Sequence, residues 1–125
     1  MPEQPPYPRF RIRIVFPGNR MVGPGKMELL ERIARTGSIA AAGREMRMSY
    51  KRAWQLVEAL NATFQEPLVH ATRGGARQGG TTLTPAGETV LREYRALESE
   101  ARAASEDRLR RLEAMLRPPP DENSG

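Results

Sequence analysis

Apolar and polar positions alternate at two different periods along this chain, and the changes of period mark its elements. From Arg9 to Phe16 the run RFRIRIVF alternates at period two, which predicts a half-buried strand with Phe10, Ile12, Ile14 and Phe16 facing inward. Pro17-Gly18-Asn19-Arg20 supplies turn chemistry, so Met21-Val22 returns as a short second strand. The period then lengthens to that of a helix. Lys26 to Arg35 carries Leu29, Leu30, Ile33 and Ala34 as its apolar stripe, with Gly37 ending it.

Two shorter helical patterns follow, Ser38 to Glu45 and Ser49 to Asn61. The Met-Arg-Met between them is too brief for anything but a sharp turn between packed helices. Ile39, Ala42 and Met46 repeat at three and four on the first; Ala53, Val57 and Leu60 do so on the second, with Met48 plugging the turn. Small residues at Ala41, Ala42 and Gly43 allow close helix approach, and Ser49 is placed to cap the second helix. This is the layout of a helix-turn-helix. In that motif the start of the second helix enters the major groove of DNA, where hydroxyl, amine and guanidinium groups reach phosphates and base edges.

Pro67 bars continuation of that helix, and residues 68–72 read as a strand. RGGARQGG, Arg73 to Gly80, is a flexible tip with two arginines, and Thr81 to Thr84 returns as the partner strand. The pattern is a β-hairpin wing. A plain glycine-rich loop and an anion-binding nest of backbone N–H groups are the competing readings; the position directly after a helix-turn-helix favours the wing. Thr84 and Pro85 begin a last helix, with Glu88 at its positive end, running to about Leu116 before three prolines. Val90, Tyr94, Leu97, Ala101 and Ala104 form a seam on it, and Leu109, Leu112 and Leu116 resume after a break. So long a stripe on so small a domain predicts pairing with a second subunit.

The pieces TGSIAAA, MSYKRAW, EALN, EPLV, RGG with further glycines, and LTPAGE stand in one order across roughly residues 9 to 115. In these the chain resembles the N-terminal DNA-binding domain of the molybdate-dependent regulator (ModE) family, whose winged helix-turn-helix is close to that of LysR-type regulators. One departure is Arg47, where the family usually has a small turn residue, often glycine. A non-glycine residue at positive φ costs about 1 kcal/mol, so this turn is either slightly strained or built differently. The family pattern continues into oxyanion-binding domains to which these residues have no counterpart. The resemblance therefore implies a DNA-binding regulator without carrying molybdate or tungstate binding with it, and no cofactor is expected.

The expected fold class is mainly α with small β elements: a winged helix-turn-helix with a long C-terminal dimerisation helix. Its division is a disordered or extended arm over 1–8, a DNA-binding domain over 9–84, a dimerisation helix over 85–117 and a disordered tail over 118–125. The proline-rich arm also fits a polyproline II ligand for an SH3-like partner.

Length and charge narrow the function. The 125 residues suit one domain plus tails. No apolar run approaches the ~20 residues of a membrane span, and the start lacks the order of a signal peptide, so a cytoplasmic protein is expected. Zero cysteines exclude disulfides and thiolate metal sites, and His70, the one histidine, reads as an ordinary surface or strand residue. The net charge is +5, unevenly spread: residues 1–26 hold five basic residues against one acidic, residues 44–80 six against three, and residues 86–117 seven of each. The excess coincides with the proposed reading elements, which favours phosphate contact. Gly23 to Lys26, GPGK, is not a phosphate loop, because Arg20 holds the first glycine position and Met27 the hydroxyl position. No nucleophile, base and orienting group gather at a recognisable spacing, so no enzyme and no catalytic residue are expected.

The leading reading is a sequence-specific regulator of transcription that binds double-stranded DNA as a homodimer. Its contacts are Ser49, Tyr50, Lys51, Arg52 and Gln55 on the second helix and Arg73 and Arg77 on the wing. Trp54 reads either as a contact to sugar or phosphate or as a joint residue. The alternative is an oxyanion sensor that binds molybdate or tungstate directly, through arginines beside glycines.

Overall fold

Met27, Leu29, Leu30 and Ile33 have no solvent exposure, and all four lie on one helix, α1, Pro24–Thr36. The other elements are arranged round it. The computed structural model describes residues 8–71 and 80–119. In chain order these hold β1 (Ile14–Phe16), β2 (Arg20–Val22), α1, α2 (Ile39–Glu45), α3 (Tyr50–Thr63), β3 (Val69–Ala71), β4 (Thr81–Leu83), α4 (Pro85–Ala104) and α5 (Glu106–Ala114). The fold is mainly α with two antiparallel strand pairs, a winged helix-turn-helix. Residues 1–7 of the expected arm, residue 72 of the expected strand, residues 73–79 of the expected wing tip and residues 120–125 of the expected tail lie outside the described residues.

Helix α1 starts at Pro24, two residues before the periodicity predicts, because proline at the first turn has no amide to lose there. Gly37 ends it at φ 71°, and its N–H donates to the Ile33 carbonyl at 2.8 Å. The expected stripe is wrong at one position: Ala34 is exposed, and Met27 fills the core instead.

The first hairpin pairs Ile14 with Val22, Val15 with Met21 and Phe16 with Arg20. Gly18 at φ 80° and Asn19 at φ 61° make its turn, two residue types that tolerate the left-handed region. The expected strand over 9–16 is shortened to 14–16, because β2 ends at Val22 and Gly23 already caps α1, leaving residues 9–13 nothing to pair with there. They run instead beside α4. Buried Tyr94 donates its hydroxyl to the Ile12 carbonyl, and Arg102 donates to the Pro8 carbonyl. Burial pushes the Tyr94 phenol upward, which keeps it the donor. Phe10, Ile12 and Ile14 are half-buried as the alternation predicts, whereas Phe16, beside the turn of the hairpin, is exposed.

The second hairpin pairs Val69 with Leu83, His70 with Thr82 and Ala71 with Thr81. Two side chains fasten it to the helices, and a third ties α4 to α1. Asn61 of α3 accepts from the Leu68 and Val69 N–H groups at 2.8 and 3.1 Å and donates to the Val69 carbonyl at 3.3 Å. Thr84 caps α4 by accepting from Gly87 N–H at 3.0 Å and donates to the Pro67 carbonyl at 2.7 Å. Arg95 of α4 pairs with Glu31 of α1 and with Glu98.

The helix expected to run from 85 to about 116 is broken at Ser105, whose N–H donates three residues back, to Arg102, at 3.1 Å. Serine competes with the helical backbone, and Glu106 and Asp107 suit the positive start of a new helix. Of the expected seam, Tyr94 is buried and Val90 packs on the core, while Leu97 and Ala104 are exposed. Leu112, Met115 and Leu116 on and after α5 are 62%, 83% and 71% exposed.

A Cβ on Gly87 would sit 2.1 Å from the Leu68 carbonyl oxygen, which is backbone and cannot swing aside. Gly87→Ala is expected to destabilise the fold by ~2–3 kcal/mol, as overpacking does, read as a lower urea midpoint. An unchanged midpoint would mean that α4 is free to move off the hairpin.

Candidate nucleic-acid interface

Helices α2 and α3 meet through residues with little bulk. Ala42 and Ala53 are fully buried, and a Cβ on Gly43 would stand 3.0 Å from the Ala53 Cβ. Ser38 caps α2 by accepting from Ala41 N–H, and Ser49 caps α3 by accepting from Arg52 N–H, both at 3.0 Å. Between them the chain turns at Arg47, φ 59°, while Met48 donates its N–H to the Gly43 carbonyl and packs its side chain on the core. The turn therefore has the left-handed backbone that a glycine would adopt freely, and it is built on arginine.

Because Ala53, Val57 and Leu60 are turned inward, about 100° per residue sets every other position on α3. Lys51, Gln55 and Glu58 fall on the outward face and are exposed. Arg52 lies on one flank; Tyr50 and Trp54 lie on the other, 56% and 40% exposed, which puts Trp54 outside the buried core. Ser49 is exposed too, and its capping role uses the oxygen while leaving the hydroxyl proton to donate. The structure thus brings five expected contact residues, Ser49, Tyr50, Lys51, Arg52 and Gln55, to one helix start. Arg73 and Arg77 lie outside the described residues, in the connection from β3 to β4.

Sequence reasoning missed how the charges are sorted. Glu45, the lone acid between Ser38 and Val57, is drawn to α1, where Arg32 donates to it at 2.9 Å and Arg35 also donates. Arg32 binds Glu28 as well, at 2.9 Å. Arg44, Arg47, Lys51 and Arg52 are exposed and form no ion pair among the described residues. Arg44 and Arg47 therefore join the basic surface at the start of α3. The signal that would have found them is the run of cations from 44 to 52 with a single acid in it.

Elsewhere, His70 is exposed on β3. The described residues contain no group of three or more histidine, cysteine, aspartate or glutamate side chains that could hold a metal ion. No helix among them is long and apolar enough to cross a membrane.

Residues 25–88 match the model of the bacterial regulatory helix-turn-helix protein, lysR family. The chain belongs to that family. It is 49% identical over 82 residues to the molybdenum-pterin-binding protein MopB of Rhodobacter capsulatus, covering 66% of this chain and 30% of MopB. It is 43% identical over 79 residues to the molybdenum transport protein ModE of Azotobacter vinelandii, covering 63% of this chain and 29% of ModE. The chain thus spans about 30% of the length of these curated relatives. Among solved structures it is similar to the DNA-binding domain of CbnR in complex with DNA, with TM-score 0.53 and 25% identity over 67% of this chain and 92% of that one. The matched family model describes regulatory helix-turn-helix proteins, and the ModE of Haemophilus influenzae, 39% identical over 77 residues, is named a transcriptional regulator.

Hydrogen bonds from Arg35 and Arg32 hold the Glu45 carboxyl below its ordinary value of 4.5. A depressed folded-state value stabilises the fold fully above the unfolded value, and the effect is lost as pH falls through the folded one. Glu45→Gln should therefore lower the urea midpoint near neutrality and flatten its fall on acidification, the two proteins converging once the pH lies below the depressed folded-state value. Parallel curves from about pH 7 to pH 3 would show that the contacts to Arg32 and Arg35 contribute nothing in solution.

Proposed function

We propose that the protein is a cytoplasmic, sequence-specific transcriptional regulator that binds double-stranded DNA as a homodimer. The observation that carries this reading is the capped, exposed start of α3, where four cations stand without partners among the described residues. Lys51 and Gln55, on the outward face, meet base edges in the major groove; Ser49, Tyr50 and Arg52 on its margins meet phosphates. Arg73 and Arg77 add backbone contacts from the wing between β3 and β4. Residues 9–84 form the DNA-binding unit and residues 85–117 the dimerisation segment. The exposed apolar surface of α4 at Leu97, beside Phe16 of β1, supports pairing with a second subunit.

Direct sensing of molybdate or tungstate is the second reading, and the names of MopB and ModE favour it. Two arginines do converge in the described residues, but they converge on Glu45, which together with Glu28 already neutralises them. Titration with molybdate should release no heat; saturable heat would establish the sensor.

Replacing Lys51 and Arg52 together with alanine should weaken operator binding, by ~1–3 kcal/mol per subunit for the Lys51 base contact and by a further salt-dependent amount for the Arg52 phosphate contact, while leaving the circular dichroism unchanged. Anisotropy titration at fixed salt, on a site selected from random DNA, reads this, and an unaltered dissociation constant would end the reading-helix assignment. Leu97→Glu should raise the dimer dissociation constant. Sedimentation of the unmodified protein as a monomer at tens of micromolar would refute the homodimer.

A further inference from the structure

We infer that Arg47 is a phosphate-binding residue of the helix-turn-helix turn, held in a backbone conformation that works against its own side chain. The inference rests on the DNA-binding reading above. Arg47 has φ 59°, a region where an L side chain crowds its own backbone. Its N–H donates to the Arg44 carbonyl at 3.0 Å, so the backbone of the turn is engaged. Its side chain is exposed and makes no hydrogen bond or ion pair among the described residues. The described part of the fold therefore gains nothing from this guanidinium, and a glycine at the same φ would close the turn with less strain.

What the side chain adds is charge at a chosen place. Arg47 stands two residues before the Ser49 cap, bonded through its N–H to Arg44 and within five positions of Lys51 and Arg52 in the chain. The nearby carboxylate that would neutralise it, Glu45, is held on α1 by Arg32 and Arg35. A strained guanidinium without a carboxylate partner among the described residues, at the entry of the proposed reading helix, suits a nucleic-acid phosphate, which rewards charge more than precise aim.

The test compares Arg47→Gly, Arg47→Asn and Arg47→Lys with the unmodified protein on one selected operator and on unrelated DNA, across a salt series. Glycine and asparagine both tolerate positive φ, so either should leave the melting midpoint unchanged or raise it by a few degrees. Both should weaken operator and unrelated DNA alike, by about 25- to 100-fold near 0.1 M salt for a dimer that loses one contact per subunit, and flatten the plot of log affinity against log salt by about 1.8. Arg47→Lys should retain affinity and slope. Higher stability with unchanged affinity would overturn the inference alone, as would a loss confined to the operator or one equally large in Arg47→Lys. Failure of the unmodified protein to bind any duplex would overturn the DNA-binding reading and this inference with it.

Discussion

How near α2 can come to α3 decides what α3 is able to present. The approach is set at Gly43 and Ala53, where even one added methyl group would press at 3.0 Å against its neighbour. With the two helices this close, α3 loses its freedom to roll: Ala53, Val57 and Leu60 have to lie inside, and Lys51 and Gln55 therefore outside. A bulkier joint would separate the helices and leave the roll of α3 to be set by looser contacts. The polar face of α3 is thus specified by the small side chains behind it rather than by anything it touches itself.

Two kinds of interaction hold this joint against α1, and their sizes differ. Four fully buried side chains on α1 contribute on the order of 1.5–3 kcal/mol each, whereas exposed ion pairs such as those of Arg35 add little to stability. The ion pairs matter for a different reason. By engaging Glu45 from α1, Arg32 and Arg35 keep that carboxylate from turning toward Arg44 and Arg47. The apolar contacts fix where the helices are, and the ion pairs fix which cations remain unpaired. Overall net charge carries no information about that second outcome.

The helix-turn-helix was legible because each of its signals is local: Ser49 caps the helix it precedes, Gly37 ends the helix before it, and three-four spacing names the buried residues of α3. Misreadings arose where a distant residue decides. The strand over residues 9–13 fails because its partner stops at Val22 and α4 supplies Tyr94 and Arg102 instead, more than eighty positions away. Ala34 looks apolar by type, yet Met27 claims the core. The break at Ser105 was half visible as a gap in the seam, but a gap in a stripe does not reveal whether the backbone continues. The pull of Arg32 and Arg35 on Glu45 spans thirteen and ten positions, beyond any periodicity.

Those long-range ties also bear on how a second subunit would govern DNA reading. The carbonyl of Leu68 accepts from the Thr84 N–H at 2.9 Å and lies where a Gly87 side chain would be, so the start of α4 is locked to this residue. The N–H of the same Leu68 donates to Asn61 at 2.8 Å, in the last turn of α3. One buried residue thus receives the start of α4 on its carbonyl side and the end of α3 on its amide side. In the dimer proposed above, the spacing of two α3 helices follows from how two α4 helices pair, and this short path carries the relation through one buried, hydrogen-bonded residue of the connection between α3 and β3. Half-site spacing on DNA is then a property of the α4 contact, transmitted through Leu68, rather than of the reading helix.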